Sequence, residues 1–309
     1  MNTTDRNEFY IPVENGRVHA YAWQVEQPRA VLLCVHGLAE HGRRYAELAG
    51  YLNRHRITVV AYDHRGHGDS RRPPDSPPGF VASRRGWQVL LQDLENVRTA
   101  VQGEHPGIPM YILGHSMGSF VTRCHLAHSG RHYQGAILSA TGTDPGLKLR
   151  IGLLLARLTV LLRGASRPSR LLDHLTFGAF GSRFRPLQTR FDWLSRDPDE
   201  VERYLQDPLC GFVASSSLFY DLATGVKTAN SAQVVSGVPT RLPLLFIAGD
   251  HDPVGNFGTG FHQVVQAYRR HGAEQVTELL YSEGRHEMLH EVNRQEVFAD
   301  ILEWVYSTL

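Results

Sequence analysis

The sequence predicts an α/β protein, built on a mostly parallel sheet with helices on both faces. Three observations carry this. Short apolar runs recur along the 309 residues, each run ends in a turn, and most of the turns lead into segments with helical periodicity. Strands covered on both faces read as continuous apolar runs, whereas half-solvated strands alternate.

Taken in order, residues 10–13 and 18–23 flank Glu14, Asn15, Gly16 and Arg17, whose Asn-Gly pair favours a tight turn. An antiparallel N-terminal hairpin follows from this. Six further runs supply the remaining strands, at 31–35, 57–62, 110–113, 136–139, 244–248 and 276–281. Between them Trp87, Leu90, Leu91, Leu94, Val97 and Val101 recur every three or four residues, as one buried helix face does. A similar helix closes the chain from about 295 to 306.

The alternation stops between 143 and 208, which predicts an insertion into a core formed by 1–142 and 209–309. Its first part, 147–162, is apolar round most of a helix, with Lys148, Arg150, Arg157 and Arg163 at intervals. That helix reads first as a cap packed on the core and secondly as a lid that meets acyl chains or a membrane surface.

Composition excludes several classes. With 42% hydrophobic and 20% charged residues the chain can bury a sizeable core. Its 32 basic and 31 acidic residues give a net charge of +1 with no concentrated basic face, so nucleic acid is not an expected partner. Cys34, Cys124 and Cys210 are an odd number, far apart, and fit buried thiols in a reducing compartment. The first fourteen residues lack the basic-then-apolar order of a signal peptide, and no apolar run reaches membrane-spanning length. The expectation is a soluble cytoplasmic protein.

Gly114, His115, Ser116, Met117 and Gly118 stand between a strand and an apolar helix. A serine hydroxyl is a weak nucleophile, so it needs a base, an acid to orient that base, and donors for the oxyanion formed on attack. The two glycines let the turn close and the helix approach the neighbouring strand. Serine, acid and histidine in that chain order, each after a strand, supply the other parts. His286 follows the last strand and is the expected base. Asp252 is the expected acid, deeper in its loop than Asp250, which sits at the strand end. The N–H groups of Leu38, after His36 and Gly37, and of Met117 are the expected oxyanion donors.

These segments, with His36 to His41, Arg44 and Tyr45 and Gly249 to Asp252, resemble the monoacylglycerol lipase and lysophospholipase branch of the α/β hydrolases. The resemblance spans nearly all the core from Val31 onward. It implies the α/β-hydrolase fold, with an eight-stranded, mostly parallel sheet and a helical cap. It also implies a serine esterase acting on lipids with one acyl chain, needing no cofactor and no metal. By the same resemblance Glu40 and Arg44 help hold the polar glycerol end of the substrate; a local ion pair is the alternative. Asp63 to Ser70 matches a family loop and reads as scaffolding.

His286, Glu287, Met288, Leu289 and His290 also match the HExxH pattern, in which two histidines one helical turn apart bind zinc. Gly284 and Arg285 precede the first histidine directly, which sets it in a loop, and no third ligand is singled out. A haloalkane dehalogenase or epoxide hydrolase needs a carboxylate at position 116. A thioesterase, acyltransferase or short-chain esterase uses the same triad, whereas a binding module has little need for one.

Overall fold

The protein is described from a computed structural model over residues 6–71, 76–178, 180–184 and 186–309. Eight strands form one sheet: β1 (Arg6–Val13), β2 (Gly16–Trp23), β3 (Ala30–Val35), β4 (Ile57–Tyr62), β5 (Met110–His115), β6 (Gly135–Ser139), β7 (Leu244–Gly249) and β8 (Val276–Tyr281). Their order across the sheet is β1-β2-β4-β3-β5-β6-β7-β8. Only the first hairpin and the β2–β4 contact are antiparallel; the register from β4 to β8 is parallel throughout.

Ten helices complete the described chain: α1 (Ala46–Asn53), α2 (Gly86–Glu104), α3 (Met117–Ser129), α4 (Leu147–Arg163), α5 (Arg170–Phe177), α6 (Pro198–Gln206), α7 (Ser216–Ala229), α8 (Ala232–Gly237), α9 (Thr259–Arg270) and α10 (Arg294–Thr308). The pleat divides the strand residues between two cores. Val31, Leu33 and Val35 of β3 face the cluster that includes Leu90 and Leu94 of α2, Phe120 of α3 and Phe261 of α9. Leu32 and Cys34 face the opposite cluster, with Leu48 and Leu52 of α1 and Phe298 and Ile301 of α10. This two-sided burial is why β3 reads as a continuous apolar run.

Five helices, α4 to α8, lie between β6 and β7. Arg123 of α3 ties this excursion to the core from a fully buried position. Its guanidinium donates to Thr141 Oγ1, Gly142 O, Ala229 O, Asn230 Oδ1 and Tyr268 OH at 2.8–3.3 Å. The fork therefore holds both the departure near Gly142 and the end of α7. The helix of 147–162 does pack on the core, but through one face: of α4 only Ala156 and Thr159 are buried. Leu147, Ile151, Leu154, Leu158, Leu161 and Leu162 are exposed, Leu162 at 83%.

Candidate active site

In an open parallel sheet the loops that leave the carboxyl ends of the strands share one edge. Here those after β3, β5, β7 and β8 carry every residue singled out for chemistry. Ser116 joins β5 to α3 at φ 52° and ψ −120°, a backbone region costly for a residue with a Cβ. Its neighbours fix that conformation. The Ser116 N–H donates to Ser139 O at 3.0 Å, and its carbonyl accepts the Ser119 N–H at 2.9 Å and the Ser119 hydroxyl at 2.6 Å. A Cβ on Gly118 would stand 2.1 Å from Val35 O, so only glycine lets α3 start this close to β3.

His286 Nδ1 lies 2.9 Å from Asp252 Oδ1, and both side chains are buried. Asp252 Oδ1 also accepts the Val254 N–H at 2.9 Å. Burial pulls the imidazole pKa down, but the Asp252 charge and hydrogen bond outweigh it and hold the ring above its ordinary value. Asp250, the other acid considered, faces His251 Nδ1 at 2.6 Å. With Nδ1 engaged, His286 Nε2 makes no hydrogen bond among the described residues, and His286 and Ser116 line the same cavity.

What pins the base loop comes from a distant segment that no local pattern marks. The Trp193 carbonyl accepts the His286 N–H at 3.3 Å, and the Leu194 carbonyl accepts the Glu287 N–H at 2.8 Å. The Trp193 ring centroid lies 4.9 Å from that of His286.

Leu38 leaves β3 through His36 and Gly37. His36 Nε2 accepts the His64 N–H at 2.8 Å, so Nδ1 carries the proton and donates to Gly37 O at 2.7 Å. Among the described residues neither the Leu38 N–H nor the Met117 N–H has an acceptor. Asp63 braces the next turn: its carboxylate accepts the Gly42 and Asp69 N–H groups, both at 2.7 Å, and the Tyr21 hydroxyl at 2.9 Å.

Glu40 and Arg44 are brought together, but not as an isolated pair. Arg44 holds Glu287 with two bonds of 2.6 and 2.7 Å and reaches Glu40 Oε2 at 3.1 Å. Glu40 Oε1 accepts the Gly37 N–H at 2.5 Å. Glu40 lines the cavity, whereas Arg44 does not. One guanidinium thus links the loop carrying Leu38 to the loop carrying His286. Glu287 stays well below the usual carboxylate range: burial raises it, but Arg44 more than compensates. Glu40 is pushed up, by burial first and then by the Glu287 charge.

The HExxH segment does not form the helix its zinc pattern needs. Met288–His290 is a single tight turn, and His290 Nε2 meets Arg44 O at 3.2 Å. Among the described residues two groups bring potential ligand atoms within 4.8 Å, namely His41, Asp207, Cys210 and Glu8, His19, Asp69. Neither contains His286 or His290.

The cavity at Ser116 has a volume of about 50 Å³. Its polar lining includes Glu40, His115, Ser116 and His286, and its apolar lining includes Leu38, Phe177, Phe191, Trp193 and Phe212.

The chain as a whole is similar to known proteins. The sequence profile of the family described as Serine aminopeptidase, S33 matches residues 26–293. The monoacylglycerol lipase of Mycolicibacterium smegmatis is 29% identical over 316 residues, spanning 100% of both chains. The monoglyceride lipase of Rattus norvegicus is 29% identical over 229 residues, 73% of this chain and 66% of that one. A carboxyl esterase of Bacillus coagulans, solved in complex with glycerol, superposes with a TM-score of 0.88 at 26% identity over 99% of both chains. The chain belongs to the Serine aminopeptidase, S33 family, within the monoacylglycerol lipase-like branch of the α/β hydrolases, and is a carboxylic ester hydrolase.

Proposed function

We propose that the protein cleaves esters of single-acyl-chain lipids, monoacylglycerols and lysophospholipids foremost, through an acyl-enzyme on Ser116. His286 takes the hydroxyl proton as Ser116 attacks the carbonyl and returns it to the leaving alcohol. Asp252 fixes the ring and supports the imidazolium, and the Leu38 and Met117 N–H groups hold the oxyanion. Water then resolves the acyl-enzyme by the same proton transfers in reverse order. The observation that carries this reading is the buried 2.9 Å His286–Asp252 bond, made by a histidine that lines the same cavity as Ser116.

The names of the similar lipases, and the glycerol bound by the similar esterase, support a glycerol-sized alcohol. Glu40 meets the polar end of that alcohol, and Arg44 acts through Glu40 and Glu287. Residues 143–208 form the cap that selects the acyl chain. Three buried free thiols support a reducing, cytoplasmic setting. The exposed leucines of α4, with Lys148, Arg150, Arg157 and Arg163, support contact with a lipid surface. Among the described residues no helix is long and apolar enough to cross a membrane.

A fluorophosphonate probe should label the protein at Ser116, and Ser116→Ala should lose both label and turnover, the latter by on the order of 10⁴- to 10⁶-fold. Full turnover in Ser116→Ala would reject the mechanism. The small cavity favours one competing substrate class, short-chain esters. A panel of p-nitrophenyl esters, monoacylglycerols, lysophospholipids and aminoacyl amides separates the two: a short-chain-only profile removes the lipid reading, and amide cleavage alone replaces it with peptidase activity.

A further inference from the structure

A cavity of about 50 Å³ is far too small for an acyl chain, since ligand sites usually measure roughly 300–1,000 Å³. Next to it lies a second chamber of about 260 Å³. Asp173, Phe177, Arg190, Phe191 and Trp193 line both spaces, so they form the partition between them. On its far side the chamber is walled by Gly178, Gly181 and Leu187. Among the described residues its lining is mainly apolar, with the partition's ion pair and His174 as its charged or titratable groups.

The partition is built from two segments joined by one bond. Arg190 Nη2 donates to Asp173 Oδ2 at 2.8 Å, linking α5 to the stretch before Trp193. The carboxylate is largely buried while the arginine is 52% exposed, so the arginine can swing into solvent without losing a buried environment. Phe177 stacks on Trp193 at 6.0 Å between centroids, and Trp193 in turn covers His286. An acyl group bonded to Ser116 that extends past Phe177 meets this wall directly.

We infer that the second chamber takes the distal methylenes of the acyl chain and that the Asp173–Arg190 pair is the latch that must open to admit them. Joined, the two spaces reach the lower end of the usual ligand volume, which suits a chain of medium length. Short esters react within the first cavity alone. The inference rests on the ester-hydrolase reading with Ser116 as nucleophile and adds the residues that set chain length.

The test is the ratio of kcat/KM for p-nitrophenyl dodecanoate to that for the butyrate, in variants whose active sites are counted by fluorophosphonate titration. Each methylene moved from water into an apolar site is worth about fourfold. Gly181→Phe and Leu187→Trp each fill the chamber from its far side and should each lower the ratio at least tenfold. Asp173→Asn/Arg190→Met removes the latch while keeping side-chain size, and should raise it severalfold. A ratio within twofold of wild type in both filling variants overturns the chamber. Failure of the underlying reading looks different: Ser116→Ala would then retain hydrolysis at every chain length.

Discussion

The buried cluster of Glu40, Arg44 and Glu287 shows how one residue serves two loops. A lone guanidinium faces two carboxylates, and all three side chains are at most about 10% exposed. Removing one partner from a buried ion pair costs about 3–5 kcal/mol, because a charge is left in a poor solvent. Arg44→Met should therefore lower the unfolding free energy by an amount of that order, with Glu40 or Glu287 taking up a proton in the folded variant. Adding Glu287→Gln to Arg44→Met should restore part of the loss, since it deletes the stranded charge. Equilibrium urea unfolding at constant pH checks both, and an Arg44→Met penalty below about 1 kcal/mol would show that the cluster is solvated. Glu40 and Arg44 are four apart in sequence and invite pairing by spacing alone. Glu287 lies 243 residues from Arg44, and no local pattern connects them.

At the scale of elements, the sheet was legible because burial on both faces leaves an unmistakable apolar run. The strand ends moved little: β5 runs on to His115, and β1 begins at Arg6 instead of Tyr10. The four loops that carry the candidate site residues were legible as loops too, since each follows an apolar strand run and helix signals also bracket Ser116. What escaped was any contact between distant, irregular segments, such as Trp193 over His286 or Asp173 with Arg190. How much of α4 packs was not legible either, because an all-round apolar helix has two solutions, a core or an interface. Its exposed leucines and its four cations favour the second. The protein should sediment with vesicles containing anionic lipid, more weakly with neutral ones, and Leu161→Ser/Leu162→Ser should weaken both. Added salt should reduce only the anionic preference. Equal sedimentation by wild type and variant would exclude α4 as the contact surface.

For the whole molecule, the buried histidines decide how the fold answers to acid. Burial holds His64 at about 3 and His67, His125 and His290 at about 4, and holds His36 and His115 well below their ordinary value. An unfolded histidine takes its proton near pH 6.5. Between that pH and about 4 the unfolded chain binds protons that the folded chain refuses, so each such residue removes about 1.4 kcal/mol of stability per pH unit. Buried carboxyls act in the other direction. Desolvation raises Glu40 and Asp221 to about 7 and Asp63 to about 6, so the folded state takes up protons that unfolded carboxyls, near 4, do not yet bind. His286, raised by Asp252 against its burial, takes its proton in the folded state above pH 6.5, so its gain is complete before this window opens. The lowered histidines outnumber the raised carboxyls, so stability falls as the pH drops below 6.5. Urea midpoints measured at pH 7.5, 6.0 and 5.0 should fall steadily, and the fall should shrink by about one proton's worth in His125→Gln, whose ring meets only the Tyr133 hydroxyl at 2.9 Å and the partly exposed Glu95. A midpoint that holds level or rises down to pH 5 would mean that the carboxyls, not the histidines, govern the acid limb.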